Sequence, residues 1–182
     1  MVPVGDMSRP RVSVYIAASL DGFIARTDGS IDWLSSVERP GEDYGYKAFF
    51  DSADALVLGR KTYDAVLGFH AWPYTGKRCF VATTDPSKAS RHGEEFFAGD
   101  LAAVLERLGA EGVEHVYLDG GTVIAQAVKA SLVDELTLSI VPVLLGDGTP
   151  LAPKIGRDVP LELIEHRAFT SGLVQLRYRV RH

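Results

Sequence analysis

The sequence of 182 residues is poor in cysteine and has no excess of basic charge. Its only cysteine, Cys79, excludes an internal disulfide, and no CxxC or HExxH spacing indicates a metal site. Lys and Arg total 19 against 24 Asp and Glu, giving a formal net charge of −5. Such a chain lacks the basic field that attracts nucleic acids and membrane surfaces. No apolar run reaches the roughly 18 residues of a membrane span. We therefore expect no metal, no nucleic-acid partner and no membrane association.

The composition that is present is typical of one globular domain. Hydrophobic residues make up 46% and charged residues 24% of the chain, which is enough to bury a core without disulfides. Residues 1–10 are short and polar and lack the apolar region of a signal peptide. We expect a disordered lead-in over residues 1–10, a single domain over residues 11–182, and a cytoplasmic location.

Apolar runs and helical spacings alternate along the chain, so the sequence predicts an α/β fold. The predicted strands are residues 11–18, 55–58, 77–82, 94–98, 114–118, 135–144, 161–169 and 173–181. The predicted helices are residues 44–52, 59–67, 101–108 and 122–130, and residues 29–41 form a predicted loop. Ser171-Gly172 indicates a hairpin between the last two strands. Parallel crossovers followed by antiparallel strands predict a mixed sheet with helices on both faces.

Two segments share the pattern of a buried strand, a glycine and the start of a helix. They are residues 56–62, with Gly59, and residues 116–123, with Gly120 and Gly121. Glycine lets a ligand approach the backbone, and a helix N-terminus attracts phosphate. In open α/β sheets, ligands bind beyond the carboxyl ends of the strands, where both segments lie. Arg60 and Lys61 add positive charge at the first segment. The alternative for each is an ordinary strand-to-helix turn.

Other polar residues are candidates for binding or proton transfer. Thr83 and Thr84 follow a strand and offer hydroxyls to a phosphate or ribose, or else form a polar loop. Asp32 lies beside Trp33, where partial desolvation raises the pKa of a carboxylate toward that of a proton donor. The alternative is a solvated aspartate beside a core tryptophan. Two further carboxylates compete for this role, Glu38 and Asp43. The aromatic helix face of Tyr46, Phe49 and Phe50 predicts core packing, and Phe49 is also a candidate substrate contact.

Several motifs occur in a fixed order over roughly residues 11–180. The first three are IAASLDGFIA at residues 16–25, Asp32-Trp33, and VLGRKTY at residues 57–63. This set resembles the dihydrofolate reductase superfamily. The later motifs are LDGGTVI at residues 118–124, LVDEL at residues 132–136 and PVLLGDG at residues 142–148. These resemble one branch, the reductase domain of the bifunctional riboflavin-biosynthesis deaminase–reductase and its stand-alone relatives.

The resemblance implies a dihydrofolate reductase-like three-layer α/β/α fold with a central mixed, mostly parallel eight-stranded sheet and a C-terminal antiparallel hairpin. It also implies an NADPH-dependent reductase and a homodimer. By position, Ala18 and Ile24 flank the nicotinamide, and Asp32 and Trp33 face the substrate. The remaining implied cofactor contacts are Gly59, Arg60, Lys61, Thr62, Thr83 and Thr84 on the adenine side and Gly120, Gly121, Thr122 and Val123 at the pyrophosphate. Arg60 is implied near the 2′-phosphate.

The sequence departs from both branches on the substrate side. In dihydrofolate reductases the acid follows the loop tryptophan, whereas Asp32 precedes Trp33 and Glu38 is the nearest acid by spacing. The riboflavin branch has an acidic run and a proline after its Gly-x-x-Thr turn, and residues 63–66 lack both. We predict hydride transfer to a C=N or C=O carbon of a pyrimidine- or pterin-like molecule, most specifically the ribosylamino-pyrimidine intermediate of riboflavin synthesis. The alternatives are a dihydrofolate or other pterin reductase and a non-catalytic nucleotide-binding module.

Overall fold

A twisted sheet of eight strands organises the molecule, as seen in a computed structural model that describes residues 9–152 and 154–182. The strands along the chain are β1 (Arg11–Ser19), β2 (Phe23–Ala25), β3 (Ala55–Gly59), β4 (Arg78–Ala82), β5 (Glu95–Phe97), β6 (His115–Asp119), β7 (Glu135–Val141), β8 (Thr149–Pro150), β9 (Leu161–Ala168) and β10 (Val174–Val180). The α-helices are α1 (Tyr46–Ser52), α2 (Arg60–Val66), α3 (Leu101–Ala110) and α4 (Gly121–Lys129), and a 3-10 helix spans Asp32–Val37.

The strand order in the large sheet is β5-β4-β3-β6-β1-β7-β10-β9. The first six strands are parallel, whereas β10 runs antiparallel to both β7 and β9. The predicted fold class, with a mostly parallel eight-stranded sheet and a C-terminal antiparallel hairpin, is confirmed. The short strands β2 and β8 pair separately from this sheet.

Alternate residues of the central strands point to opposite faces of the sheet, because side chains alternate along a strand. One set packs with α3 and α4, and its central members are Val12, Val14, Ala55, Val57, Val116 and Leu118. The other set packs with α2 and with the aromatic side chains of α1, and includes Leu56, Leu58, Val81 and Tyr117. Because both faces of β3 are covered, its residues 55–58 form a continuous apolar run, as is typical of buried parallel strands. β6 is apolar at residues 116–118 and polar at both ends.

Several details differ from the sequence prediction. The predicted loop of residues 29–41 contains the 3-10 helix, and α1 starts at Tyr46. The strand predicted over residues 135–144 ends at Val141, because Pro142 has no N–H for the ladder. Residues 1–8 of the predicted lead-in lie outside the described residues. The rest of it is anchored, since the Arg9 guanidinium donates to both carboxylate oxygens of Asp134 at 2.7 and 2.9 Å.

Residues 9–152 and 154–182 contain neither a helix suited to a membrane nor a cluster suited to a metal ion. None of their helices combines the length and the apolar character that crossing a bilayer requires. None of their His, Cys, Asp and Glu side chains form a group of three or more that could hold a metal ion.

Candidate active site

The two glycine segments meet at the carboxyl edge of the sheet. β3 and β6 are adjacent parallel strands, so the turns that follow them lie side by side. Gly120 has a φ of +114°, and a Cβ there would lie 2.7 Å from Thr62 Oγ1 and 3.1 Å from the Gly59 nitrogen. Only glycine fits this conformation and this space. The two turns therefore touch each other at Gly59, Thr62 and Gly120.

The first turns of α2 and α4 each follow a glycine at the N-cap position. No side chain caps α4 at Gly120 or α2 at Gly59 among the described residues, so the N–H groups of their first turns remain available for an anion. Gly121 begins α4, and Thr122 is exposed. Val123 is only 1% exposed. Its side chain belongs to the core, so only its backbone could touch a phosphate.

Ile24 and Ala18, the two residues predicted to flank a nicotinamide, differ in the position of their side chains. The Ile24 side chain covers Gly121, where a Cβ would lie 2.7 Å from Ile24 Cδ1. Ala18 lies at the carboxyl end of β1 but is 2% exposed, so its methyl group is buried and only its backbone is positioned for contact. The neighbouring Ala17 packs in a cluster with Trp33.

Asp21 ties the loops around this edge together. Its carboxylate accepts from the Ser19 hydroxyl at 2.6 Å and from the backbone N–H groups of Leu145 at 3.1 Å and Gly146 at 2.7 Å. The Ser19 hydroxyl and these backbone donors lower the pKa of Asp21 to about 2. Asp21 therefore fixes a loop more than a hundred residues away along the chain.

Basic side chains gather at the outer end of this edge. Arg60 donates to Asp64 at 2.9 Å, and Arg60 chiefly, with Lys88 and Arg91 at longer range, lowers the pKa of Asp64. Lys61 is exposed. Lys88 and Arg91 were missed by the sequence analysis because they lie in a loop with no recognisable motif. Together these four cations form what we call the basic rim.

The two predicted threonines lie next to the basic rim. The Thr83 hydroxyl accepts from the Asp85 N–H at 3.2 Å, which is the polar-turn arrangement given as the alternative. Thr84 is exposed at the following position. The electrostatic influence of Arg60 reaches Asp85 and helps to lower the pKa of that carboxyl.

The prediction that Asp32 is partly desolvated is wrong. Its side chain is 65% exposed and accepts from Arg26 Nε at 2.6 Å. The Arg26 guanidinium lowers the pKa of Asp32 instead of desolvation raising it. The two competing carboxylates, Asp43 and Glu38, are also exposed. The N–H groups of Gly45 and Lys47 lower the pKa of Asp43. Glu38 lies just after the 3-10 helix.

The residue next to Asp32 is a buried donor. Trp33 is 5% exposed and packs against Val37, Val141 and Leu173. Its indole N–H has no acceptor among the described residues. Because an unsatisfied buried donor is costly, such a group is typically satisfied by a water or a ligand.

Asp119 has the environment that was predicted for Asp32. It is the last residue of β6, directly before Gly120, and it lies among the rings of Tyr46, Tyr74 and Tyr117. Burial raises the pKa of Asp119, and hydrogen bonds from Tyr117, the Gly120 N–H and Tyr74 only partly oppose this. The sequence analysis missed Asp119 because it looked like part of a glycine turn.

The aromatic face of α1 is not sealed in the core. None of the residues of α1 is buried, although Phe49 lies 4.9 Å from the Tyr117 ring and 5.1 Å from the Tyr15 ring, measured between centroids. The interpretation of this helix as core packing is therefore too simple. Phe49 presents a half-buried ring next to the Asp119 cluster.

The chain matches the family model of the RibD C-terminal domain over residues 10–175. The chain belongs to the RibD C-terminal domain family. The matched residues include both glycine turns, Trp33 and Asp119. The resemblance to the riboflavin reductase branch is thereby confirmed at the level of the family.

Relatives of this RibD C-terminal domain protein extend over nearly its whole length. It is 36% identical to YwjB, an uncharacterized protein of Bacillus subtilis, over 91% of this chain and 95% of that protein. A candidate riboflavin biosynthesis protein from Shewanella sp. PV-4 superposes with a TM-score of 0.87 and 34% identity, covering 94% of this chain and 99% of that one. Dihydrofolate reductase from Enterococcus faecalis has a TM-score of 0.64 and 18% identity, over 94% and 97% of the two chains. The last match supports the fold alone.

Proposed function

We propose that this protein is an NADPH-dependent reductase of a pyrimidine- or pterin-like heterocycle. The observation that carries the proposal is the contact between two uncapped glycine turns immediately beside a half-buried carboxyl group, that of Asp119. The family is that of the RibD reductase domain, and the dihydrofolate reductase from Enterococcus faecalis was solved in complex with NADP(H). We propose the cytosol as its compartment, where NADPH is supplied.

The residues at the carboxyl edge fit a dinucleotide. The close contact of the turns at Gly59 and Gly120 brings the first turns of α2 and α4 side by side, and the first turn of α4, which has no side-chain cap, supplies N–H donors for a pyrophosphate. The basic rim suits the 2′-phosphate that distinguishes NADPH from NADH. When bound, NADPH supplies the hydride, and the protein supplies orientation and a proton.

We propose that Asp119 supplies this proton. Its raised pKa allows the carboxyl group to hold a proton closer to neutral pH than an exposed aspartate does. Asp119 follows Leu118, which pairs with Val14 in the middle of β1, so it lies directly before the Gly120 turn and beside the central part of the sheet. The ring of Phe49, which packs against Tyr117, would contact a planar substrate on this side of the sheet, and we keep Trp33 as a second proposed substrate contact.

The substrate assignment is tested by turnover. We follow the loss of reduced nicotinamide absorbance with dihydrofolate and, separately, with the phosphorylated ribosylamino-pyrimidine of riboflavin synthesis. Turnover of the pyrimidine supports the specific proposal, and turnover of dihydrofolate alone supports the pterin alternative. A protein that binds NADPH but oxidises it with neither substrate, nor with other pterins, would be the nucleotide-binding module.

Removing two cations of the basic rim should change cofactor preference. In the double variant Lys88→Ala/Arg91→Ala, we expect NADPH affinity to fall about tenfold or more while NADH affinity changes little, since charged hydrogen bonds are worth about 1.5–3 kcal/mol each. Isothermal titration calorimetry measures both affinities. Lys129→Ala, at the far end of α4, is the matched control. Equal loss for both cofactors would place the 2′-phosphate elsewhere.

We also propose that the protein is a homodimer, formed through a surface that we call the hairpin face. It comprises Leu138, Ile140, Leu163, Leu176 and Tyr178. These side chains point to the same face of the sheet as the residues that pack with α3 and α4, but they are not buried. Leu163 is 49% exposed. An apolar sheet face of this kind is typical of a subunit interface.

Introducing a charge should therefore separate the subunits. We expect Leu176→Arg to weaken dimerisation at least 100-fold, as expected from about 3 kcal/mol for a central interface residue. Sedimentation equilibrium measures the association constant, with Glu106→Arg on the exposed side of α3 as the control. A wild-type protein that sediments as a monomer would exclude the proposed interface.

A further inference from the structure

A cavity lies on the opposite side of the sheet from the hairpin face. Its volume is about 340 Å³, and it lies between α1 and the strands β10 and β9. Its floor is formed by residues from the first halves of β1 and β7, including Ser13 and Thr137. The glycine turns follow the carboxyl ends of the strands, so this cavity, which we call the hairpin cavity, is not part of the proposed NADPH site.

Three arginines reach the hairpin cavity, which is locally basic in a chain with a net charge of −5. Arg177 donates to Glu135 at 2.8 Å, and Arg11 lies 3.6 Å from the other oxygen of that carboxylate. One carboxylate thus serves two guanidinium groups. Arg167 lies over the ring of Phe169, 4.6 Å from its centroid. The lining also contains a second carboxylate, that of Glu165. Three guanidinium groups therefore face two carboxylates, which leaves an excess of positive charge.

The floor of the hairpin cavity is polar and buried. Ser13 is 3% and His115 5% exposed, and their Oγ and Nε2 atoms lie 2.8 Å apart. His115 Nδ1 lies 2.9 Å from the Ser52 carbonyl oxygen and 3.2 Å from a guanidinium nitrogen of Arg11, so both ring nitrogens of His115 have polar neighbours. Burial lowers the pKa of His115, so the ring is neutral at neutral pH. A sheet face under a helix is usually apolar, which makes this polar floor an informative exception.

A hydrogen-bonded wall closes the hairpin cavity toward the carboxyl ends of the strands. The Tyr15 hydroxyl donates to the Tyr44 carbonyl at 2.8 Å, and Gln175 Nε2 donates to the Tyr15 hydroxyl at 3.0 Å. The ring of Phe49 forms an apolar side of the cavity, edge-on to His115. The cavity thus combines a fixed polar floor, one aromatic side and a rim of guanidinium groups.

We propose that the hairpin cavity binds a small molecule carrying an oxyanion, either a carboxylate or a phosphate group. Guanidinium forks match both groups in a bidentate geometry. Ligand pockets typically measure about 300–1,000 Å³, so this one suits a small metabolite and not a dinucleotide. The oxyanion contacts Arg167 and Arg177 at the rim, and the rest of the molecule packs on Phe49. The site is independent of the NADPH assignment.

The test is a titration with two probes, inorganic phosphate and benzoate, at constant ionic strength. Calorimetry gives the affinity, and amide chemical shifts from NMR spectra locate the binding. We expect saturable binding of at least one probe, with shifts in the first half of β1, in α1 and in β10. In Arg167→Ala and in Arg177→Ala we expect affinity to fall about tenfold, the effect of losing one charged hydrogen bond. Arg179→Ala, which removes an arginine outside the cavity on the same strand, is the matched control.

The outcomes separate this proposal from the NADPH assignment. If phosphate binds and benzoate does not, the ligand carries a phosphate; the reverse result indicates a carboxylate. Saturating NADPH should leave the affinity unchanged. Three results would each overturn the proposal: no saturable binding of either probe, equal losses in Arg179→Ala and Arg177→Ala, or shifts confined to the glycine turns.

Discussion

Replacing Asp119 with Asn should lower kcat about 100-fold or more and leave the affinity for NADPH unchanged. General acid catalysis contributes about 10²–10⁴-fold, and an amide of the same shape cannot release the proton. Steady-state turnover and calorimetric titration with NADPH measure the two quantities. Because burial raises the pKa of Asp119, we also expect wild-type kcat to fall as pH rises through that pKa, and this dependence to disappear in the variant.

The control for this prediction is Asp32→Asn, which removes the exposed carboxylate that the sequence alone favoured. We expect its effect on kcat to be much smaller. Stability provides a second control. A raised folded-state pKa means that stability is lost as pH rises through that pKa, so Asp119→Asn should unfold at the same or a higher temperature at neutral pH. A large loss of kcat in Asp32→Asn, with Asp119→Asn unaffected, would reverse the assignment.

Replacing Gly120 with Ala should nearly abolish NADPH binding and destabilise the fold. At a φ of +114° the new Cβ would lie 2.7 Å from Thr62 Oγ1 and 3.1 Å from the Gly59 nitrogen. The two turns must separate to admit the methyl group, which displaces the backbone proposed to hold the pyrophosphate. We expect a loss of affinity of more than tenfold and a decrease of about 1–3 kcal/mol in the free energy of unfolding. Calorimetry and urea denaturation measure these effects.

Gly112→Ala is the matched control for Gly120→Ala. Gly112 also has a positive φ, +85°, but nothing lies within 4 Å of its Cβ position. It therefore carries only the backbone penalty, about 1–2 kcal/mol, without the steric contact. Stability should fall in both variants, but NADPH affinity only in Gly120→Ala. Unchanged NADPH binding in Gly120→Ala would show that the two turns do not hold the cofactor.

The sheet could be predicted because its strands are short apolar runs with clear boundaries. The run of residues 55–58 and the periodic helix α3 are examples whose local patterns agree with their tertiary environment. The strands β2 and β8 could not be predicted, since three and two residues carry no periodicity. The pairing of Arg9 with Asp134 was equally invisible, because it joins residues 125 positions apart.

The candidate site was predictable only where backbone conformation dictates the residue. Gly59 and Gly120 were found because strand, glycine and helix start form a local pattern. Asp119 was missed because its environment comes from rings far away in the sequence, such as Tyr46 and Tyr74. Asp32 was misjudged because the pKa of a loop carboxylate depends on its partner, Arg26, which only the folded loop reveals.

The most direct test of the account is calorimetric titration of the wild-type protein with NADPH and, separately, with NADH. The account predicts that NADPH binds with a Kd near 1 μM, about −8 kcal/mol, and that NADH binds at least tenfold more weakly. That result would support the roles of the glycine turns and the basic rim together. If neither nucleotide binds, the cofactor assignment is contradicted, and the proposed reduction and the role of Asp119 in it fail with it.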